Sequence, residues 1–556
     1  MKRNPTFPMF MYPNETVPGT NTEISFLEFG RAAHRVAHTL RPSRQGPDGQ
    51  VVMVIANTDT ILHHAVVAGI SMAGLVPFPV LYIHSATAIV NMIKKTNCSW
   101  IVTLAHAHQS LINAICQESE DTQLTIDELP TLACAFPKLG NEVEADPFDP
   151  YPPPSKRPEL HSPAIYVHSS GSTAFPKAIA HSHQFQIHWL TQPGIRVYAN
   201  VAAPRRVGAM ALRPVYALGL MTQLYSPLAC LSTTVVHPPR TGNDPYAQPV
   251  ITTRDNIIER IRQTKCHHLV SVAAYLEPMV SSPEAIEVLK NMEFVRFGGS
   301  PLPVKVGDAL CAAGVPLCCD YGGTEFGCPV AAADKKDIAD GDWGWMRFSD
   351  DIEIRWAPQG DDTYECQVLS TENHRVAVEN LPDVRGYATG DLFVKHPTKD
   401  MWKIAGRMDD VITLASGEKV VPAPIESIIN SSPLVKAALV FGRERNQVGI
   451  LIEPRPEHAI DVNDEQAVVE FRNKIWPVID EANETSPAFC RIFKEMILIT
   501  SSDRPMLQTV KLTAQRTGTL KAYEGEINAL YDTVKAISLS SNGLATFSSH
   551  SNSHFH

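Results

Sequence analysis

Between about residues 24 and 135 the hydrophobic period of the chain switches repeatedly, and that alternation restricts it to layered α/β architectures. "ISFLEFGRAAHRVAHTL" carries apolar residues at helical spacing, and "VVMVIA" (Val51 to Ala56) is a short apolar run of the kind buried strands show. "TILHHAVVAGISMAGLVPFPV" reads as a helix ending near Gly74 followed by a strand, and "SATAIVNMIKKTNCSWIVTL" repeats helix then strand. Such alternation argues for parallel strands covered by helices. A second α/β stretch is expected from about 163 to 330, and Leu392 to Lys395 with Met401 to Ala405 predict a hairpin turning through "HPTKD". Composition changes after Gly406. A smaller α+β region should follow, with a hairpin in "KAALVFGRERNQVGILIEP", a helix over Glu465 to Asp480 presenting Val468, Ile475 and Ile479 on one face, and a strand at Met496 to Thr500. Residues 141–160 are Pro-rich and acidic and predict an extended surface connection. The Ser-, Asn- and His-rich tail after about Ser538 predicts disorder, and its histidines lack the fixed spacing of a metal site.

At 556 residues the chain is too long for one ordinary core, so two or more domains are expected. Net charge is −11 with no basic stripe, which argues against a nucleic-acid partner. No run of about 18 apolar residues suggests a membrane span, and "MKRNPTFPMFMYPNE" has Pro and Asn where a signal peptide needs an apolar stretch. The eleven cysteines are scattered without metal-ligand spacing, which fits a reducing cytoplasm, and Cys318–Cys319 read as buried strand residues.

The chemistry starts at "YVHSSGSTAFPKAIAHSH", residues 166–183. Tyr166 to His168 read as the end of a strand. Ser169, Ser170, Gly171, Ser172 and Thr173 then place four hydroxyls around one glycine, and Lys177 follows Pro176. Backbone N–H groups, hydroxyls and one cation are what a polyphosphate needs. The common phosphate loop ends Gly-Lys-Ser/Thr and enters a helix directly. Here "KAIA" alternates like a strand, so the expected arrangement is strand, mobile loop, strand, with a helix from near Gln184. The competing reading is a Ser/Thr-rich turn that binds nothing.

Four later segments decide between them. "FGGSPLP" (Phe297 to Pro303) is a glycine pair that admits a flat group close to the backbone. "DYGGTEFG" sets Thr324 and Glu325 after the apolar "VPLCC", where a carboxylate can hold Mg²⁺ between phosphates. "GYATGDLF" places Asp391 after a tight turn, in reach of ribose hydroxyls, and "GRMDD" (Gly406 to Asp410) follows the hairpin. Each piece alone is weak. In this order, with roughly 120, 60 and 15 residues between successive segments, the set is specific.

With these motifs the chain resembles the adenylate-forming superfamily of acyl-CoA synthetases, luciferase-like enzymes and adenylation domains of nonribosomal peptide synthetases (NRPS), over nearly all of residues 20–535. "AGLVPFPV", "SGEKVVPAPIE" and "KLTAQRTGTLKAYEGEINALY" are most similar to adenylation domains of fungal NRPS-like enzymes, including adenylate-forming carboxylic acid reductases. The resemblance implies an α/β fold: layered α/β subdomains with a small β-barrel-like part in a large N-terminal domain (1–406), a smaller mobile α+β C-terminal domain (407–535), and a disordered tail (536–556). It also implies roles. Ser169 to Lys177 would cover the β- and γ-phosphates of ATP. Gly298, Gly299, Ser300 and Tyr321 would line the adenine, Thr324 would contact the α-phosphate, and Glu325 would hold Mg²⁺. Asp391 and Arg407 would bind the ribose, Asp409 would be the hinge, and Tyr216 with Gly219 would line the acid pocket. Lys511, in the last motif, would bridge the acyl carboxylate and the α-phosphate.

A cation at Lys511 also has a physical rationale. Carboxylate attack on an α-phosphate brings two anions together, and their repulsion must be offset in the transition state. Lys521 is the rival, but Pro505 and Arg516 flank Lys511 as in the family. The chain departs from the pattern at Ala174 and Leu512, where glycine is usual, and at Tyr216, where histidine is common. Amino-acid-activating members carry Asp there as partner of the α-ammonium, so a tyrosine points to an aryl, α-keto or fatty acid. No carrier, reductase or thioesterase signature follows Tyr531, so the chain reads as a stand-alone enzyme, an excised domain or a remnant. The expected reaction is formation of acyl-AMP and pyrophosphate, then transfer to the phosphopantetheine thiol of a carrier protein in trans. In the second step Lys511 would leave and the segment around Gly417 would face the thiol. The alternatives are an acyl-CoA ligase, with CoA as acceptor, and a catalytically silent nucleotide- or acyl-binding relic.

Overall fold

The computed structural model describes residues 4–119, 123–169, 176–196, 205–242, 244–360, 362–509 and 513–534. β1 (Pro8–Pro13) and β2 (Asn21–Ser25) open the chain as an antiparallel pair. A parallel sheet of order β4-β3-β5-β6 follows, built from β3 (Val51–Ile55), β4 (Val76–Val80), β5 (Trp100–Thr103) and β6 (Thr125–Glu128). The unbroken apolar run of β3 has a plain cause. Val52 and Val54 enter the core with Phe29, Val36 and Ile61, while Val51, Met53 and Ile55 enter the core on the other face with Ile89 and Ile93. Pro77 and Pro79 lie on alternate positions of β4 whose ladder to β3 is intact. Their missing N–H groups therefore fall on the outer edge, and β4 ends the sheet although β7 (Pro163–Ser169) runs alongside it.

β7 pairs antiparallel with β8 (Lys177–Ser182), Ser169 opposite Lys177, and the helix His183–Thr191 follows. This is the expected strand, connection, strand order. β9 (Arg206–Gly208), β10 (Thr233–Val235), β11 (His268–Ser271), β12 (Phe294–Phe297) and β13 (Leu317–Cys319) join the first pair in a sheet of order β13-β12-β11-β9-β10-β1-β2, parallel except at β2. The connection at 141–160 carries no helix or strand, as expected, but it is strapped down rather than loose. Glu142 is buried and accepts from Arg31 (3.1 Å) and Arg35 (2.9 Å), and the Tyr151 hydroxyl donates to the Arg41 carbonyl (2.7 Å).

The expected barrel-like part takes the form of an antiparallel meander in chain order: β14 (Ile354–Gly360), β15 (Thr363–Leu369), β16 (Gly386–Lys395) and β17 (Trp402–Arg407). The turn expected before Asp391 is instead a bulge inside β16. Residues 388 and 392 pair with 367 and 365, so the segment between them has two residues more than its partner. Gly390 takes φ +69 at the bulge, a conformation that glycine adopts without strain.

Beyond β17 lie β18 (Ile412–Thr413), β19 (Lys419–Val420), and the antiparallel pair β20 (Val435–Phe441) and β21 (Gly449–Pro454), with β22 (Ile497–Ile499) parallel to β21. The helix Glu465–Glu484 starts where the sequence predicts, and Ile475 and Ile479 enter a core whose members all lie at or beyond Ile412. The Lys305 ammonium reaches Glu481 at 2.6 Å across the two parts, but the pair is about half exposed and holds them together only weakly. All eleven cysteines are unbonded. Among the described residues no helix is long and apolar enough to cross a membrane.

Burial lowers His63 to about 3 and His64, His181 and His374 to about 4. Each binds a proton below about 6.5 when unfolded and stays neutral when folded, so their stability contribution is complete above 6.5 and lost as pH falls toward 4. Glu28, raised to about 7 by burial, opposes them, as do Glu277 and Glu426, which burial also raises, but the histidines outnumber these carboxyls. Stability by denaturant titration should therefore fall between pH 6.5 and 5, at up to about 1.4 kcal/mol per pH unit for each histidine. A flat profile over that interval would contradict the neutral burial of these side chains.

Candidate active site

The segment expected to meet nucleotide sits at the carboxyl ends of β12 and β13, where ligands of open α/β sheets gather. Gly298 to Ser300 leave β12, and Asp320 to Glu325 leave β13 beside them, with the Asp320 N–H donating to the Phe297 carbonyl at 2.7 Å. Gly323 and Gly327 exchange backbone hydrogen bonds (2.9 and 2.8 Å), closing a tight loop over Thr324, Glu325 and Phe326. A Cβ on Gly323 would lie 2.4 Å from the Phe326 ring, so the loop closes only around glycine there.

Two neighbours hold this loop. The N–H groups of Ala377 and Val378 donate to the Glu325 carbonyl at 2.7 and 3.2 Å. On the other side His181 Nε2 lies 2.7 Å from the Thr324 carbonyl, and the Gln186 side-chain nitrogen lies 2.9 Å from His181 Nδ1. A carbonyl only accepts, so the Nε2 atom carries the proton and Nδ1 accepts from Gln186. Sequence reading passed over both residues. A signal existed: Ile179 and His181 alternate on the inward face of β8, where a polar residue needs a partner. Nothing in the sequence marks Ala377 or Val378.

Tyr321, Asp391, Arg407 and Asp409, separate in sequence, form one connected chain. The Tyr321 hydroxyl donates to Asp391 Oδ2 at 2.7 Å, and Arg407 Nη1 donates to Asp391 Oδ1 at 2.9 Å and to the Thr389 carbonyl at 3.2 Å. The second Arg407 nitrogen lies 3.2 Å from Asp409 Oδ2. Register puts Asp391 opposite Arg407 on β17, and the bulge at Gly390 takes Asp391 out of the ladder to β15. Burial and the Asp391 charge hold the Tyr321 hydroxyl well above its ordinary range, so it stays protonated and donating. Glu325 is half-buried; its charge, after burial, helps push Tyr387 on β16 up to about 12. Among the described residues no donor or cation engages the Glu325 carboxylate. A hard cation held by oxygen ligands fits such a carboxylate. Among the described residues, the one group of carboxylates close enough together to share a metal, Asp337, Asp340 and Asp342, is already bound by Lys399, 2.7 Å from Asp340.

Lys177 is exposed at the start of β8. Tyr216 precedes the helix Ala217–Leu220 and meets the His168 ring at 5.5 Å. Gly219 is explained by backbone: an added Cβ would lie 2.0 Å from the Arg213 carbonyl oxygen. Ser170, Gly171, Ser172, Thr173 and Lys511 lie outside the described residues, as do Ala174 and Leu512.

The profile of the AMP-binding enzyme family matches residues 2–362, and that of the AMP-binding enzyme C-terminal domain matches 409–535. The chain belongs to the AMP-binding enzyme family. It is 51% identical over 534 residues to adenylate-forming reductase Nps9 of Serpula lacrymans var. lacrymans (strain S7.9), covering 96% of this chain and 48% of that protein. It is 26% identical over 531 residues to a carboxylic acid reductase of Neurospora crassa, covering 92% of this chain and 47% of the relative. The chain thus spans about half the length of the curated relatives it matches. In fold it is similar to ATP-bound MatB from Rhodopseudomonas palustris (TM-score 0.68, 18% identity, 94% of this chain and 97% of that one). It is also similar to the adenylation domain of a carboxylate reductase from Mycobacterium chelonae (TM-score 0.66, 15% identity, 95% and 89%). This AMP-binding fold is the adenylate-forming architecture that the motifs imply.

Because His181 is the side chain bonded to the Thr324 carbonyl, His181→Leu leaves a buried acceptor and Gln186 unpaired. It should cost about 1–3 kcal/mol of stability by denaturant titration. An unchanged midpoint would show that the bond does not hold the loop.

Proposed function

We propose that the chain activates a carboxylic acid with ATP, forming acyl-AMP and pyrophosphate, and then passes the acyl group to the phosphopantetheine thiol of a carrier protein. The observation that carries this reading is Asp391 holding Tyr321 and Arg407 beside a Glu325 carboxylate that no described protein group engages. Tyr321, Gly298, Gly299 and Ser300 would accept the adenine, and Asp391 with Arg407 the ribose. Thr324 would meet the α-phosphate, while Ser169 to Thr173 and Lys177 would meet the outer phosphates. Glu325 would hold Mg²⁺, which when bound neutralises phosphate charge. Tyr216 and Gly219 would face the acid.

In the first step a carboxylate oxygen attacks the α-phosphorus, the bond to the bridging oxygen of the β-phosphate breaks, and pyrophosphate leaves with that electron pair. Lys511 would offset the meeting of two anions. In the second step the thiol sulfur attacks the acyl carbon and AMP departs, a far better leaving group than hydroxide. Asp409 would be the hinge between the steps, dividing a part to about 406 from one over 407–535. The relatives named reductases favour a further reading: the thioester is passed on to reductive release by a domain or partner beyond this chain.

Acid-driven exchange of labelled pyrophosphate into ATP tests the first step. Aryl or keto acids should support it and the twenty amino acids should not, since Tyr216 offers no counter-charge to an ammonium. Lys511→Ala should remove several kcal/mol of transition-state stabilisation from exchange and leave transfer from preformed acyl-AMP nearly intact. Robust exchange with an amino acid would overturn the substrate class. Loss with Lys521→Ala rather than Lys511→Ala would overturn the role of Lys511.

A further inference from the structure

Three side chains packed in sequence at the end of β7 each carry a buried polar atom without a partner. The atoms are His84 Nε2, His168 Nε2 and the Tyr216 hydroxyl. The side chains come from three separate places: the segment after β4, the penultimate residue of β7, and the residue before the helix Ala217–Leu220. The His84 and His168 rings meet edge to face at 4.9 Å, and His168 and Tyr216 at 5.5 Å. His168 is 2% exposed. Folded proteins pair nearly all their buried polar atoms, so three unpaired ones on touching rings mark a place made to receive a polar group.

Its chemistry follows from the three groups. Burial, then the neighbouring His84, lowers His168 to about 3, burial also lowers His84, and burial raises the Tyr216 hydroxyl. Near neutral pH the cluster carries no charge. An ammonium placed there would lack a counter-charge and would meet the charge of exposed Arg213, which acts on Tyr216, so it is rejected. Each neutral imidazole has one donor and one acceptor nitrogen, and the phenol can do either. A hydroxyl, which both gives and takes a hydrogen bond, suits such a set, and ring edges on its flanks suit an aromatic carrier.

We propose that His84, His168 and Tyr216 form a subsite for a hydroxyl group on the acid, so that ring-hydroxylated acids are selected over their unhydroxylated counterparts. This rests on the reading of Tyr216 as part of the acid pocket. The test is pyrophosphate exchange by the full chain with benzoate, phenylacetate and phenylpyruvate, each against its ring-hydroxylated forms. At least one hydroxylated acid should exceed its parent by tenfold or more in kcat/KM, as expected where a site must otherwise leave polar groups unpaired. His168→Phe, which keeps a ring and removes both nitrogens, should reduce that ratio at least fivefold, with the loss in KM. If that variant does not fold, His84→Phe should do the same. Equal kcat/KM for every pair in the unsubstituted protein, or a ratio unchanged by the substitution, would overturn the subsite and leave a resident water as the partner of these atoms. No exchange with any of these acids would instead overturn the function reading, and the subsite with it.

Discussion

Asp391 joins two structural units that the chain builds separately. Tyr321 leaves a strand of the large parallel sheet, Arg407 ends the antiparallel meander, and the two carboxylate oxygens of Asp391 take one bond from each. Arg407 is the last residue of β17, and the core of the small part starts at Ile412, five residues on. The Tyr321 bond crosses between the two units while the Arg407 bond, made within the meander, holds the Asp391 carboxylate in place to receive it. A carboxylate has about four acceptor positions, so serving this structural role does not exclude accepting from a ribose as well. The bulge at Gly390 takes Asp391 out of the ladder to β15 while its pairing with Arg407 on β17 is kept.

Neutral buried histidines form a second theme. His181 supports the Thr324–Glu325 loop through a single defined tautomer, and His168 packs between His84 and Tyr216 without adding charge. A site that must bring together a carboxylate and a triphosphate benefits from positioning groups that do not titrate at working pH. On the proposed reading, charge is then supplied where the reaction needs it, by Lys177, Arg407 and Lys511. The cost appears in stability, since each such histidine favours the unfolded chain once the pH drops below its ordinary range.

Much of this was legible in the sequence. The period switches gave the parallel sheets, the alternation in "KAIA" gave β8, and the hairpin before Gly406 and the helix from Glu465 lie where their patterns place them. The turn motif marks Asp391 and the family resemblance names Tyr321, Arg407 and Asp409, and the structure brings all four into one hydrogen-bonded chain. What was missed depends on registers and packing that no local pattern records. The bulge before Asp391 reads locally as a turn because Thr-Gly-Asp is a turn sequence, and only pairing with β15 shows otherwise. The buried strap at Glu142 sits in a Pro-rich acidic stretch that looks solvated until Arg31 and Arg35 come from a distant helix to meet it. His181 was overlooked because a histidine in a short strand carries no motif of its own.

The central claim is that Asp391 serves both as joint and as ribose ligand, and calorimetry with ATP and 2′-deoxy-ATP tests it most directly. The unsubstituted protein should bind the deoxy nucleotide more weakly, by about 1–3 kcal/mol for a lost hydrogen bond to a charged group. In Asp391→Ala the two nucleotides should bind alike, each more weakly than ATP binds the unsubstituted protein. An equal penalty for the deoxy nucleotide in both proteins would show that Asp391 joins the two units without touching the ribose.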